Sequence, residues 1–180
     1  MMRFDEQGWA VGAIHALSVE QSWSLLSPEP EARVDALRWA HQAERFFRAR
    51  LSLVQDKRYP AGSSPLADAL LVDVGRLENQ SLTRVTIVTV PLDRAPQVLA
   101  AARLGVQAIG GAGFDALLAR ARRLWQVQVD TDEAGDPAAP IALAALLASL
   151  FLAPVLPPGG GTIFGVKGAR ERLAAAGWRT

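Results

Sequence analysis

The chain has 180 residues, half of them apolar or aromatic, which is enough to build one domain with a substantial core. Nineteen basic and eighteen acidic side chains leave a formal net charge of +1, so no overall field draws the chain to nucleic acid or to a membrane surface. It has no cysteine, which excludes a disulfide framework and any thiolate metal site.

The opening Met1-Met2-Arg3-Phe4-Asp5-Glu6 has no apolar run and no small-residue cleavage pattern, so no secretory signal is expected and the cytoplasm is the predicted compartment. Residues 9–17 read equally as a strand or a short buried helix. Ser18, with Gln21 three positions on, has capping-box spacing and predicts a short helix ending near Ser27 and Pro28. Pro30 then opens a long predicted helix over residues 31–56, with Val34, Leu37, Phe47, Leu51 and Val54 on one stripe.

Residues 59–65 are a loop by their proline, glycine and serine content. Residues 66–74 are ambiguous, and residues 83–90 are β-branched almost throughout and predict a strand closed by Pro91. A helix over 95–109 follows, with Val98, Ala102, Val106 and Ile109 on one face and Gly110-Gly111 as its stop. A second helix over 114–124 turns Leu117, Leu118 and Ala121 inward. Residues 125–130 alternate apolar and polar side chains, which predicts a half-exposed strand at an edge or in an antiparallel pair. An exposed loop is expected over residues 130–140.

From Pro137 to Val166 there are thirty residues without a charge. Residues 141–153 are apolar around the whole helical wheel, so this helix must be buried. Thirteen residues fall short of the ~20 that a membrane span needs, so burial in a core or a subunit interface is expected and membrane insertion is not. After the Pro154–Gly161 break, residues 162–166 predict a short strand, and residues 169–176 a last helix stopped by Gly177. Helices and strands alternate, which predicts an α/β or α+β class. The expected architecture is one layered domain over residues 1–180, with a mixed sheet of about four to five strands and about five to six helices.

Two glycine motifs invite chemistry. Gly111-Ala112-Gly113-Phe114-Asp115-Ala116 fits G-x-G-x-x-A, with Asp130 about twenty residues further on as a ribose acid. That pattern requires a buried strand before the glycines, whereas the preceding residues have helical spacing, so a helix, a stop and a second helix is the favoured reading. Gly159, Gly160 and Gly161, with Lys167 and Arg170 nearby, read as a candidate cradle for an anion, because glycine-loop N–H groups and a cation both favour oxyanions. No complete phosphate-loop motif accompanies them.

The remaining signals are weaker. His41 and Glu44 share a helix face without the further ligands a metal needs, and His15 sits among apolar residues as a buried, satisfied histidine would. No nucleophile elbow is present. A basic run from Arg33 to Arg58, interleaved with Trp39, Phe46 and Phe47, reads as a solvated face, and nucleic-acid binding is not expected. Five tryptophans are many for this length, and Trp125 and Trp178 are candidates for an interface. The composite expectation is an accessory or assembly protein that acts through protein–protein contact, as a homo-oligomer or on a larger protein partner. The alternative is a binder or enzyme for a phosphate-bearing ligand such as a nucleotide, dinucleotide or coenzyme.

Overall fold

The computed structural model describes residues 2–129 and 135–180. Its centre is a sheet of six strands: β1 (Trp23–Ser27), β2 (Ala49–Leu53), β3 (Leu70–Arg76), β4 (Thr83–Pro91), β5 (Arg123–Val129) and β6 (Val155–Leu156). Their spatial order is β6-β1-β5-β4-β3-β2, and every neighbouring pair is antiparallel. The expected mixed sheet of four to five strands is therefore corrected to six antiparallel strands. The reason is the connectivity: β2, β3 and β4 follow one another as a meander, and the chain between β4 and β5 returns beside the strand it left, so no parallel crossover arises.

Five α-helices are present among the described residues: α1 (Ala36–Phe47), α2 (Pro96–Ala108), α3 (Phe114–Arg120), α4 (Ala139–Phe151) and α5 (Val166–Ala175). On one sheet face, α1, α4 and α5 cover Leu25, Val72, Ile87, Trp125 and Val127. On the other, α2 and the amino-terminal segment cover Leu26, Val88, Val90 and Leu124. Both faces of the sheet are thus packed, giving helix, sheet and helix layers.

The uncharged helix explains itself in this frame. Residues 142–148 of α4 are all buried, because the helix lies on β1 and β5 and is flanked by α1 and α5. Its small alanines let these neighbours approach closely. Among the described residues no helix is long and apolar enough to cross a membrane.

The long helix predicted over 31–56 is really a helix and a strand. Arg48 turns left-handed (φ 47°, ψ 43°) and returns its N–H to the carbonyl of Ala43, ending α1. Ala49, Leu51 and Leu53 are then buried, while Ser52 is exposed and Arg50 partly exposed, a period of two that forms β2. The buried stripe of α1 is Trp39, Ala43 and Phe47, whereas Leu37 is 68% exposed. The short helix predicted after Ser18 is likewise a turn, since the Ser18 hydroxyl accepts from the N–H of Glu20 and the chain enters β1 at Trp23.

The predicted strand over 125–130 is not half-exposed or at an edge, but the other setting expected for it holds, since both its pairings are antiparallel. β5 lies between β1 and β4, with Trp125 1% and Gln126 0% exposed. Asp130 lies outside the described residues, as does part of the 130–140 loop; within the remainder of that loop, Ala138, Ala139 and Pro140 are buried. The predicted strand over 162–166 reduces to one bridge between Val155 and Phe164. Gly177, at φ 84°, follows α5 as the expected stop.

Candidate functional site

Gly159, Gly160 and Gly161 line a cleft of about 560 Å³ with Val19, Glu20 and Ala101. All three glycines have positive φ, and the N–H of Gly159 already donates to the carbonyl of Val19. Among the described residues, the only charged one lining this cleft is Glu20. Lys167 is exposed on α5 and does not line the cleft. Arg170 lies in the other helical layer, where its Nη1 donates to the carbonyl of Phe46 (3.1 Å) and its guanidinium covers the ring of Phe47. The structure therefore leaves the glycines without the two cations read beside them in sequence.

Gly111 and Gly113 belong to the link between two helices. Residues 110–113 all have positive φ, and α2, not a strand, leads into them. A dinucleotide fingerprint places its glycines after a strand so that a helix N-terminus faces the pyrophosphate. That element is missing here, as the spacing of Val98, Ala102 and Val106 predicted.

The histidines hold no constellation. His15, read in sequence as buried, is exposed, and so is His41. Among the described residues no three histidine or carboxylate groups come close enough to hold a metal ion. Of the aromatic residues that interleave the basic run, Trp39 and Phe47 are buried in the core and Phe46 is exposed.

The densest aromatic chemistry sits where α4 runs out. Trp125 and Phe151 pack with ring centroids 4.7 Å apart, and Trp39 meets both edge-on at 6.1 Å. These rings come from a central strand and two helices, so the cluster forms only in the folded molecule. Trp125 and Phe151 are the floor of a pocket of about 440 Å³, rimmed by Glu29, Pro30, Glu31 and Arg33. The next residue, Leu152, is 76% exposed and adopts a left-handed conformation (φ 52°, ψ 43°) as the C-cap of α4.

No family model, curated protein or solved structure matches the chain.

The rim is electrostatically mixed. Arg33 is directed away to Ser63, donating from Nε to the hydroxyl (2.7 Å) and from Nη2 to the carbonyl (3.0 Å). Arg123 supports the pocket wall by donating from Nε to the carbonyl of Pro30 at 2.7 Å. Burial, with the nearby Arg94 charge adding to it, pulls the Arg123 guanidinium below its ordinary pKa. Glu29 and Glu31 are exposed on the rim.

Phe151 and Leu152 carried no site expectation in the sequence. The one signal available was the end of the apolar run itself. A helix that stops at Leu152-Ala153-Pro154 without a glycine must put a side chain where glycine is usually found.

Proposed function

We propose that the chain is a cytoplasmic accessory or assembly protein that works by protein–protein contact, and that its contact end is the aromatic pocket with Leu152 beside it. Leu152 supports this reading most strongly. A left-handed position favours glycine by about 1 kcal/mol or more, because Cβ crowds the following carbonyl, and an exposed leucine gains nothing from burial within its own chain. Both costs are recovered if a partner covers the side chain. The neighbouring pocket accepts an apolar side chain from that partner against Phe151, within a polar rim of the kind that surrounds interface cores.

Two other supports read from the sequence do not contribute. The α4 helix finds its cover within its own chain, and Trp178 is 2% exposed and part of the core. The proposal rests on the end of α4, not on its length.

The test combines mass and cross-linking. Light-scattering mass should rise with concentration if the partner is a second copy. A photoreactive residue at position 152 should give a discrete cross-linked product, either a dimer or one heterologous protein, that vanishes when Phe151→Ser is introduced beside it. A constant monomer mass together with no discrete product would overturn the reading.

A further inference from the structure

The helical layer is thinnest at α3. None of its seven residues is buried, in contrast to α2 and α4, each of which buries a row of side chains. Between α2 and α3 lies a cleft of about 520 Å³, within the range of small-molecule sites. Its floor is apolar: Leu99, Val106 and Leu118 face it, with Ala121 at the base. Leu99 and Leu118 remain partly exposed there, so a ligand would remove apolar surface from water.

Three charged side chains line the same cleft: Arg103 on α2, Asp115 on α3, and Arg122 just before β5. Arg122 is held in place, with Nη1 donating to the carbonyls of Ala119 (3.1 Å) and Ala121 (2.9 Å). Arg103 and Asp115 form no ion pair among the described residues. The lining therefore carries two positive charges and one negative, a surplus of one positive charge over an apolar floor.

We propose that the α2–α3 cleft binds a monoanionic amphiphile of the medium-chain carboxylate class, its acyl chain on the Leu99–Leu118 floor and its carboxylate drawn to Arg103 and Arg122. The charge count selects the head group. A single carboxylate matches the one surplus cation and suits the planar, forked guanidinium. A phosphate dianion would exceed that surplus. A neutral alcohol would leave the arginines unused, and a cationic amphiphile would face two like charges. This site is independent of the aromatic end and of the protein-contact reading.

Calorimetric titration with octanoate, decanoate and dodecanoate below their micelle concentrations tests the proposal, with decanol and a trimethylammonium amphiphile as comparators. Saturable one-to-one binding is expected, tightening by about fourfold per added methylene. Amide chemical shifts should move along α2 and α3. Arg103→Ala should weaken decanoate by about five- to tenfold, and Asp115→Asn should tighten it, because the negative charge of the lining is removed. Both side chains are exposed, so both variants should fold. Ala119→Phe, which fills the cleft from an exposed position, should abolish binding without lowering stability. The proposal is overturned if binding does not saturate by about 1 mM, if decanol binds as well as decanoate, if Asp115→Asn weakens binding, or if the shifts fall elsewhere.

Discussion

The indole Nε1 of Trp178 donates a 2.7 Å hydrogen bond to the carbonyl of Phe47, joining residues 131 positions apart. That carbonyl belongs to the last turn of α1, where helical acceptors have no partner within their own helix. Arg170 serves the neighbouring carbonyl of Phe46 in the same way. The C-terminus of α1 is thus capped from α5 and the tail that follows it. Trp178→Phe keeps most of the packing and removes the donor, so it should cost about 1–3 kcal/mol. Urea unfolding measures this, and a loss below about 0.5 kcal/mol would show that the bond contributes little.

Gln126 does for the amino-terminal segment what a neighbouring strand would do. Its Oε1 accepts from the N–H of Leu17 (2.6 Å), and its Nε2 donates to the Leu17 carbonyl (3.0 Å) and to the hydroxyls of Ser22 and Ser24. Gln126→Leu preserves volume but takes the partner from the Leu17 N–H and carbonyl and from the Ser24 hydroxyl, while Ser22 keeps its bond to the Ser18 carbonyl, and should destabilise by about 2–3 kcal/mol. Hydrogen exchange should then accelerate at Leu17 before it does so in β4. Uniform acceleration would show that the segment is not a separate unit.

Asp136 and Arg76 form a bidentate pair, with Nε to Oδ2 at 2.7 Å and Nη2 to Oδ1 at 3.3 Å. The Arg76 hydrogen bonds, assisted by the N–H of Ala138 and opposed by burial, hold the Asp136 carboxyl below its ordinary pKa. A depressed folded-state pKa contributes stability that is complete above the unfolded value of about 3.9 and is lost as pH falls through the folded value. Asp136→Asn should cost about 1–2 kcal/mol near neutrality. That difference should shrink below about pH 4, where the wild type loses its own ion pair. A difference constant from pH 7 to pH 2.5 would rule out the pair as its source (unfolding followed at about half-unit intervals).

Leu152 and Arg48 are both exposed, left-handed C-caps, so replacing either by glycine should raise stability by about 0.5–1 kcal/mol. Only Leu152→Gly should also reduce association, because Leu152 alone adjoins the aromatic pocket. A melting curve and a mass measurement on each variant separate the effects. Equal association by the two variants would remove Leu152 from the contact end.

Gly105 sits inside α2, where alanine would be favoured by about 1 kcal/mol on helix propensity. A Cβ there would lie 2.7 Å from the carbonyl oxygen of Thr162, which is backbone and cannot rotate away. Gly105→Ala should therefore destabilise by about 1–3 kcal/mol. A stabilised variant would mean that the 162 segment yields easily.

The parts of the fold that were legible in the sequence are those whose burial pattern is local. β4 announces itself through β-branched residues, α2 through Val98, Ala102 and Val106, and α4 through apolarity on every side. The parts that were not legible depend on distant partners. Nothing near Trp23 says that Leu25 and Leu26 will be covered on opposite faces, so β1 passed for the end of a helix. Gln126 suggested solvent because its partners lie more than a hundred residues away. Similarly, the cations near Gly159, Gly160 and Gly161 in sequence are separated from them because α5 folds into the other layer.

Local pattern and composition by themselves determined that this chain folds around a large apolar core, lacks thiol chemistry, carries almost no net charge and buries the middle of its uncharged helix, residues 142–148 of the 141–153 run. Those properties follow from side-chain chemistry and short-range periodicity, which need no knowledge of neighbours. Only tertiary structure decided which polar groups are satisfied, where the helix over 36–47 gives way to a strand, and which side chains are left facing water at the end of α4 and along the α2–α3 cleft. These are outcomes of packing between elements far apart in the chain, and burial is a property of the pair, not of either residue.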